Sequence, residues 1–244
     1  MIDFNLPKHL RGGYSKAYPF PHSVIDNFIL DVEKIRGSIS ELKKFEYWGW
    51  DSSEYSLMDG RQINKFWVPW CKQSFSDLSY HAPITLEILN YFNSPAILKF
   101  LEELTGIENL IPDPEFHGGG VHKITTGGKL GIHADYLLHP ETKLHRRLNL
   151  LVYLNEDWEK EWGGNLELWN KDMTKCIVEI EPVFNRAVIF NITSESFHGH
   201  PNSLQSPAGV DRYSYAFYYF TEDRPESEKT NLATHAIWKK PVTL

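Results

Sequence analysis

The amino-acid sequence predicts a mainly β protein with flanking helices, whose strands form a sandwich or a barrel. Short runs rich in β-branched and aromatic residues follow one another in the second half of the chain, with turn residues between them and no helical pattern. Consecutive strands without intervening helices are typical of sandwiches and barrels. The runs cover residues 121–125, 148–155, 165–170, 175–180, 186–192 and 212–221.

The first half of the chain carries helical patterns. Apolar residues at helical spacing predict one amphipathic helix over 23–37 and two more within 83–110, the last beginning after Ser94 and ending at Gly106. Residues 1–22 contain a pair of glycines and two prolines, so we expect an irregular surface strap there.

The remaining stretches have no clear period. Residues 46–82 hold many aromatic side chains, and we interpret them as an irregular aromatic layer, with direct contact to a substrate as the alternative. Residues 222–244 are charged and irregular until 233–238, which is a last strand or a strap. We therefore expect a helical and irregular part, 1–116, packing on a core of 117–244 with a C-terminal strap, all in one structural domain.

Composition limits the classes of function. Hydrophobic residues make up 41% and aromatic residues 14% of the 244, which is enough apolar area for a large core. The formal charge of −7 argues against nucleic acid as the main partner, because phosphate binding needs clustered lysine and arginine. No apolar run reaches the length of a signal peptide or a membrane span, so we expect a cytoplasmic protein with no membrane partner.

A histidine and an aspartate one residue apart, His133 and Asp135, stand at the end of a strand-like stretch. Such a pair is a weak signal alone, because chance order nearly suffices to produce it, and a hydrogen-bonded surface turn is the alternative. The order of the segments that follow makes the signal for a metal site stronger. Further strands come after the pair, then His198, and then a strand that begins with arginine. His200 is the alternative to His198.

Two histidines and one carboxylate on one face of a metal suit non-haem Fe(II), because they leave three coordination positions open. Side chains two residues apart on a strand project to the same side, so one strand can supply both His133 and Asp135. A neighbouring strand must supply His198. We predict that these three residues hold one ferrous ion and that the chain is an oxygenase.

Arg212 begins the last long strand, and a period of two places Ser214 on the same face. The planar guanidinium can bind both oxygens of a carboxylate, and Tyr153 and Ser214 can each add a hydrogen bond. These residues predict a dicarboxylic 2-oxo acid that chelates the iron and reaches Arg212 with its far carboxylate. The alternatives are a surface cation for Arg212 and simple packing for Tyr153.

Several motifs occur in a fixed order, and together they resemble the prolyl 4-hydroxylase-like branch of the Fe(II)/2-oxoglutarate-dependent dioxygenases. The resemblance covers about residues 117–221. The motifs are Gly128-x-Leu130-x-x-His133-x-Asp135, Tyr153-Leu154-Asn155-x-Asp157-Trp158, Gly163-Gly164-x-Leu166-x-Leu168, Glu181-Pro182, Asn185-Arg186 through Phe190, His198-Gly199-His200-Pro201 and Arg212-Tyr213-Ser214.

The resemblance implies a double-stranded β-helix (jelly-roll) core, with His133, Asp135 and His198 as iron ligands. It also implies Arg212 and Tyr153 at the far carboxylate of 2-oxoglutarate, with O2 as the second cosubstrate and ascorbate as a further candidate. Members of such families convert 2-oxoglutarate to succinate and CO2 and usually hydroxylate a C–H bond. Related halogenases carry a small residue in place of the aspartate, so the aspartate here argues against halogenation.

Four further residues are candidate substrate contacts. Many relatives carry a tyrosine before the metal pair that touches the cosubstrate, and His122 takes that place here. Asn149 is either a satisfied core polar group or a contact to cosubstrate or substrate. Tyr136 follows the metal pair, and His200 is a candidate because it is close to the third ligand.

We therefore expect an iron- and 2-oxoglutarate-dependent hydroxylase of a prolyl residue, an amino acid or another small molecule. One alternative is a non-catalytic jelly-roll module that binds a carbohydrate or another ligand. A zinc hydrolase with the same three ligands is a third hypothesis, but it lacks an evident general base and leaves Arg212 unexplained. The sequence identifies neither the substrate nor an oligomeric state.

Overall fold

The structure, a computed structural model, describes residues 1–50, 62–68, 72–230 and 232–238. The helices in these ranges are α1 (Leu6–Tyr14), α2 (Val32–Leu42), α3 (Lys72–His81), α4 (Pro83–Phe92) and α5 (Pro95–Thr105). Within this part of the chain, every helix is too short or too polar to cross a membrane.

The strands up to residue 153 are β1 (His22–Ile25), β2 (Gly49–Trp50), β3 (Gln62–Val68), β4 (Ile111–Pro112), β5 (Gly120–Ala134) and β6 (His145–Tyr153). The later strands are β7 (Leu166–Trp169), β8 (Cys176–Ile180), β9 (Ala187–Asn191), β10 (His198–His200), β11 (Arg212–Thr221) and β12 (Ile237–Trp238). Each of the six runs predicted from the sequence is a strand, and the last predicted strand or strap contains β12.

The strands form one antiparallel sheet in the order β1-β9-β6-β11-β5-β10-β7-β8. Strands β3 and β12 also pair with β5, and β4 pairs with β11. Most neighbours in this order, all but β7 and β8, are not consecutive in the chain, as in a double-stranded β-helix, and the predicted fold class is confirmed. The expected division at residue 116 stays a prediction, and strands from both sides of it share this sheet.

The sheet has an apolar outer face that the helices cover. Leu150 of β6 and Phe217 of β11 belong to the same buried cluster as Phe92 and Phe100 of the helices. The Phe92 and Phe217 rings stack with their centroids 4.7 Å apart. Each such buried side chain contributes about 1.5–3 kcal/mol. Because side chains alternate along a strand, the opposite face of β6 and β11 looks into the barrel.

The prediction of an irregular strap over residues 1–22 is wrong, because α1 lies there. Tyr14, at the end of α1, is only 1% exposed and donates a hydrogen bond from its hydroxyl to Asn191 Oδ1 at 2.6 Å. Tertiary packing of this kind supplies most of the stability of a short helix, so the helix tolerates the interior pair Gly12 and Gly13.

The prediction of one helix over 23–37 is also wrong. Val24 and Ile25 are β-branched, and they pair with β9 as part of β1. Helix α2 begins only at Val32, where the side chain of Asp31 accepts a hydrogen bond from the Lys34 amide at 3.1 Å. This N-cap satisfies an amide that has no partner within the helix.

The aromatic stretch 46–82 is more regular than expected, since β2, β3 and α3 lie within it. Residues 51–61 and 69–71 of this stretch lie outside the described residues. In contrast, the two helices expected within 83–110 are present as α4 and α5, and α5 ends at Gly106 in the left-handed conformation, with φ of 76°.

One glycine lets β10 approach β5 closely. A Cβ on Gly199 would lie 2.6 Å from the carbonyl oxygen of Gly131 and 2.8 Å from that of Leu130. These are backbone atoms, so β5 would have to move. We expect Gly199→Ala to lower the free energy of unfolding by about 1–3 kcal/mol, the usual cost of overpacking.

Denaturant unfolding followed by circular dichroism measures this loss. Gly12→Ala is the matched control, because nothing lies within 4 Å of a Cβ at Gly12. A Gly199→Ala protein as stable as the control would show that the close approach of β10 to β5 is not required.

Candidate metal centre

Three of the predicted site residues converge at one point. His133 lies near the end of β5, Asp135 follows that strand, and His198 opens β10 directly opposite His133. Ligand atoms of all three lie within 4.8 Å of one another. The Nε2 atom of His133 is 3.4 Å from Asp135 Oδ1, and the Nε2 atom of His198 is 3.5 Å from Asp135 Oδ2.

Backbone carbonyls fix which nitrogen of each imidazole can bind a metal. The Nδ1 atom of His133 is 2.9 Å from the carbonyl oxygen of Gly131, and the Nδ1 atom of His198 is 2.9 Å from that of Ser196. Because a carbonyl only accepts, Nδ1 carries the proton in both rings, and the Nε2 lone pair faces the other ligands. Burial lowers the pKa of His198 to about 4, so this ring is neutral at pH 7.

Asp135 stays ionised although it is buried. Burial alone would raise the pKa of Asp135, but the guanidinium of Arg146 and the two neighbouring imidazoles hold that pKa well below its ordinary value. The Nη2 atom of Arg146 lies 2.9 Å from Asp135 Oδ2. The Asn149 amide nitrogen donates to the same oxygen at 2.8 Å. Two imidazoles and one carboxylate therefore face a common point, a donor set that fits Fe(II).

Asn149 links Asp135 to Arg146. Its carbonyl oxygen accepts from the Nε atom of Arg146 at 3.0 Å and from the Nη2 atom at 2.8 Å, while its amide nitrogen donates to Asp135. Both ends of the amide are thus hydrogen-bonded. Of the two roles predicted for Asn149, this arrangement matches that of a satisfied core polar group. Direct contact of this side chain with a substrate stays a prediction.

Arg146 was missed by the sequence reasoning. Its guanidinium carbon lies 3.4 Å from the ring centroid of Tyr218 and 4.6 Å from that of Tyr136, and the residue is 1% exposed. Strict alternation along β6 would place Arg146 on the opposite face from Asn149. However, the pairing with β11 shifts between Tyr219 and Phe220, so one extra residue turns Arg146 toward the interior.

The predicted cosubstrate residues share the inner face of the barrel. Ser214 of β11 stands directly opposite both Tyr153 of β6 and His122 of β5. Arg212, two residues before Ser214, is 4% exposed, and its Nε atom donates to the carbonyl oxygen of Gly164 at 2.9 Å. A Cβ on Gly164 would lie 3.0 Å from Arg212 Cδ, so glycine makes room for this side chain.

The Tyr153 hydroxyl fits a polar ligand. Its oxygen is buried and has no hydrogen-bond partner of acceptable geometry in the described part of the chain, and burial raises its pKa. The Arg212 guanidinium carbon lies 4.9 Å from the Tyr153 ring centroid. A buried hydroxyl left unpaired costs about 1–3 kcal/mol, and a ligand carboxylate held by Arg212 would accept a hydrogen bond from it.

The remaining predicted residues lie around the interior. The Nε2 atom of His122 is 2.8 Å from the Gly118 carbonyl oxygen, and the Tyr136 hydroxyl donates to the carbonyl of His117 at 3.2 Å. His200 is 4% exposed and lines a cavity of about 60 Å³. Contact of these three side chains with a substrate stays a prediction.

The contacts of Asn149 lead to a testable expectation. Asn149→Ala removes one hydrogen bond to the carboxylate ligand and two from Arg146, so Asp135 loses part of its support. We expect metal affinity to fall about tenfold, the lower end of the cost of losing an outer-shell partner. Competition with a metal-sensitive dye measures this affinity.

Asn165→Ala is the matched control, because Asn165 is half-exposed and hydrogen-bonds through its amide nitrogen to Glu179 at 3.4 Å. Equal metal affinity of the Asn149→Ala and Asn165→Ala proteins would rule out a role for Asn149 in holding Asp135.

Part of the chain matches a known protein family. Residues 119–220 match the family described as the 2OG-Fe(II) oxygenase superfamily. This range includes the three converging residues and the Arg212 region. The family description itself contains Fe(II) and 2-oxoglutarate, the cofactors predicted from the sequence.

One curated relative matches most of this chain. Prolyl 3-hydroxylase OGFOD1 from Mus musculus is 25% identical over 211 residues, which cover 85% of this chain and 34% of the mouse protein. The chain thus spans about a third of that relative.

Two solved structures share the fold. A prolyl hydroxylase from Trichoplax adhaerens, in complex with a hypoxia inducible factor oxygen degradation domain peptide fragment, has a TM-score of 0.54 at 18% identity and covers 90% of each chain. HygX from Streptomyces hygroscopicus, with nickel, 2-oxoglutarate and hygromycin B bound, has a TM-score of 0.55 at 14% identity over 89% of this chain and 92% of HygX.

Proposed function

We propose that this chain, whose residues 119–220 match the 2OG-Fe(II) oxygenase superfamily, is an Fe(II)- and 2-oxoglutarate-dependent dioxygenase. The reaction is the oxidation of a substrate C–H bond to C–OH, with 2-oxoglutarate and O2 converted to succinate and CO2. The observation that carries the proposal is the convergence of His133, Asp135 and His198 with ligand atoms within 4.8 Å of one another. Bound Fe(II) supplies the oxygen chemistry.

The chain's own residues bind and orient the metal and the cosubstrate. His133, Asp135 and His198 hold the metal, and Arg146 with Asn149 keeps the carboxylate ionised and oriented. At the other end, Arg212, Tyr153 and Ser214 bind the far carboxylate of 2-oxoglutarate. Asn149 and Tyr153 are four residues apart on one face of β6, or about 13 Å of strand.

The buried arginine argues against the two alternative functions. A zinc hydrolase has no use for Arg212 beside the unpaired Tyr153 hydroxyl, and a binding module has no use for three convergent metal ligands. A buried cation without a bound anion is costly, so a site built around Arg212 favours a carboxylate ligand.

The proposal names the substrate only by its chemical class. A prolyl residue in a polypeptide is our first candidate, supported by the likeness to prolyl hydroxylases, and a free amino acid or another small molecule is the second. The likeness to HygX, solved with hygromycin B, is the reason for the second. The predicted cytoplasmic location and the use of ascorbate stay predictions.

Succinate formation tests the proposal. The protein, loaded with Fe(II), is incubated with 2-oxoglutarate, O2 and a panel of proline-containing peptides, free amino acids and other small molecules. We expect slow succinate release without substrate and faster release, together with a 16-dalton mass gain, with an accepted one. Absence of succinate under all conditions, from protein that binds Fe(II), would refute the proposed reaction.

A further inference from the structure

A tryptophan from the far end of the described chain lies beside the metal centre. Strand β12 pairs with β5 so that Trp238 stands directly opposite His133, and Ile237 stands opposite Ala134. His198 of β10 is opposite His133 on the other side. Directly opposed residues of antiparallel strands point to the same face of the sheet. Trp238, His133 and His198 therefore form one row across three strands, facing the metal position.

The rings in this row are in contact. The centroids of His133 and Trp238 are 4.7 Å apart at an angle of 33°, and those of His133 and His198 are also 4.7 Å apart. His198 has its own aromatic neighbour, because the Phe190 centroid is 4.8 Å away. Each imidazole thus packs against an aromatic ring, His198 against Phe190 and His133 against Trp238.

The two aromatic neighbours differ in how they are anchored. Phe190 is fully buried within β9, whereas Trp238 is half-buried in a strand of two residues. The segment before it is held by the Ala233 carbonyl, which accepts from the amides of Leu137 at 2.8 Å and Leu138 at 3.1 Å. The segment 232–238 therefore runs along the chain on both sides of Asp135 and can fix the geometry of that stretch.

We propose that Trp238 is a positioning residue that holds the His133 imidazole in its metal-binding orientation and forms the wall of the metal cavity on that side. Hydrogen bonds and packing together lock the rotamer of a metal ligand; the Gly131 carbonyl supplies the hydrogen bond for His133, and Trp238 supplies the packing. The segment 232–238 is thus part of the working site. The inference rests on the proposed function for the presence of the metal.

Co(II) is the probe, because its visible absorption reports the number and geometry of its ligands and because it quenches nearby tryptophan fluorescence. The proteins compared are wild type, Trp238→Ala, Trp238→Phe and the control Trp158→Phe. Trp158 lies elsewhere, with its indole N–H donating to the Gly163 carbonyl at 3.0 Å. Titrations are followed by absorption and by emission.

We expect Trp238→Ala to weaken Co(II) binding about tenfold and to alter the visible spectrum, whereas Trp238→Phe, which keeps a ring, stays within about threefold of wild type. Co(II) should quench a smaller share of emission in Trp238→Phe than in Trp158→Phe. If Trp238→Ala does not fold, the comparison of the two phenylalanine variants still decides the placement of Trp238.

Equal quenching in the two phenylalanine variants, or a Trp238→Ala protein with wild-type affinity and spectrum, would overturn this inference alone. Failure of the wild-type protein to bind Co(II) would overturn the metal centre and this inference together.

Discussion

His133→Ala will lose Fe(II) binding and with it the 2-oxoglutarate-dependent release of succinate. The imidazole is one of three ligands, and its Nε2 lone pair cannot be replaced by a neighbouring side chain, because His198 and Asp135 already occupy the adjacent positions. Loss of an outer-shell partner costs about 10–100-fold in metal affinity, and loss of a ligand exceeds that range. We therefore expect affinity to fall by more than about 100-fold.

The fold should survive this substitution, since Asp135 keeps its contacts with Arg146 and Asn149. His9→Ala is the control, because His9 is exposed on α1. Equilibrium dialysis under anaerobic conditions gives Fe(II) affinity, and an enzyme-coupled assay gives succinate. A folded His133→Ala protein with undiminished affinity would place the metal elsewhere.

The second large effect is expected for Arg212→Ala, which should weaken 2-oxoglutarate without releasing the metal. A charge-assisted hydrogen bond to a carboxylate contributes about 1.5–3 kcal/mol, or about 10–150-fold in binding. The guanidinium is buried and lies over the Tyr153 ring. We expect the KM for 2-oxoglutarate to rise by that factor, with Fe(II) affinity unchanged.

Arg212→Lys separates charge from geometry, because an ammonium keeps the charge but cannot bind both carboxylate oxygens as a planar fork. It should lie between wild type and alanine. Arg36→Ala is the control for loss of an arginine, since its side chain is half-exposed and pairs with Glu33 and Glu156. An unchanged KM in a folded Arg212→Ala protein would move the cosubstrate carboxylate to another site.

The strands and the His133–Asp135 pair could be predicted because both depend on local patterns. Period two sorted β6 and β11 into an apolar and a polar face, and the structure places Leu150 on the first and Tyr153 on the second. His133 and Asp135 are two residues apart, so a single strand end brings them together. The convergence of His198 needed the order of motifs, because its pairing with His133 joins residues far apart in sequence.

The features that could not be predicted from the sequence depend on pairing between strands that are far apart in the chain. Arg146 faces the interior because of a register shift opposite Phe220, which no local pattern signals. Val24 and Ile25 fit a helical period as well as a strand, and pairing with β9 decides between the two. Trp238 reaches the metal centre only through a pairing of two residues with β5.

The most direct test of the central claim is an anaerobic titration of the wild-type protein with Fe(II) and 2-oxoglutarate, followed by visible absorption. Three protein ligands leave room for a 2-oxo acid to chelate the same ion, and such a chelate has a weak charge-transfer band. We predict that the band appears at one equivalent of Fe(II), requires 2-oxoglutarate, and is absent in His133→Ala. Absence of the band in the wild type, or its persistence in His133→Ala, would contradict the account.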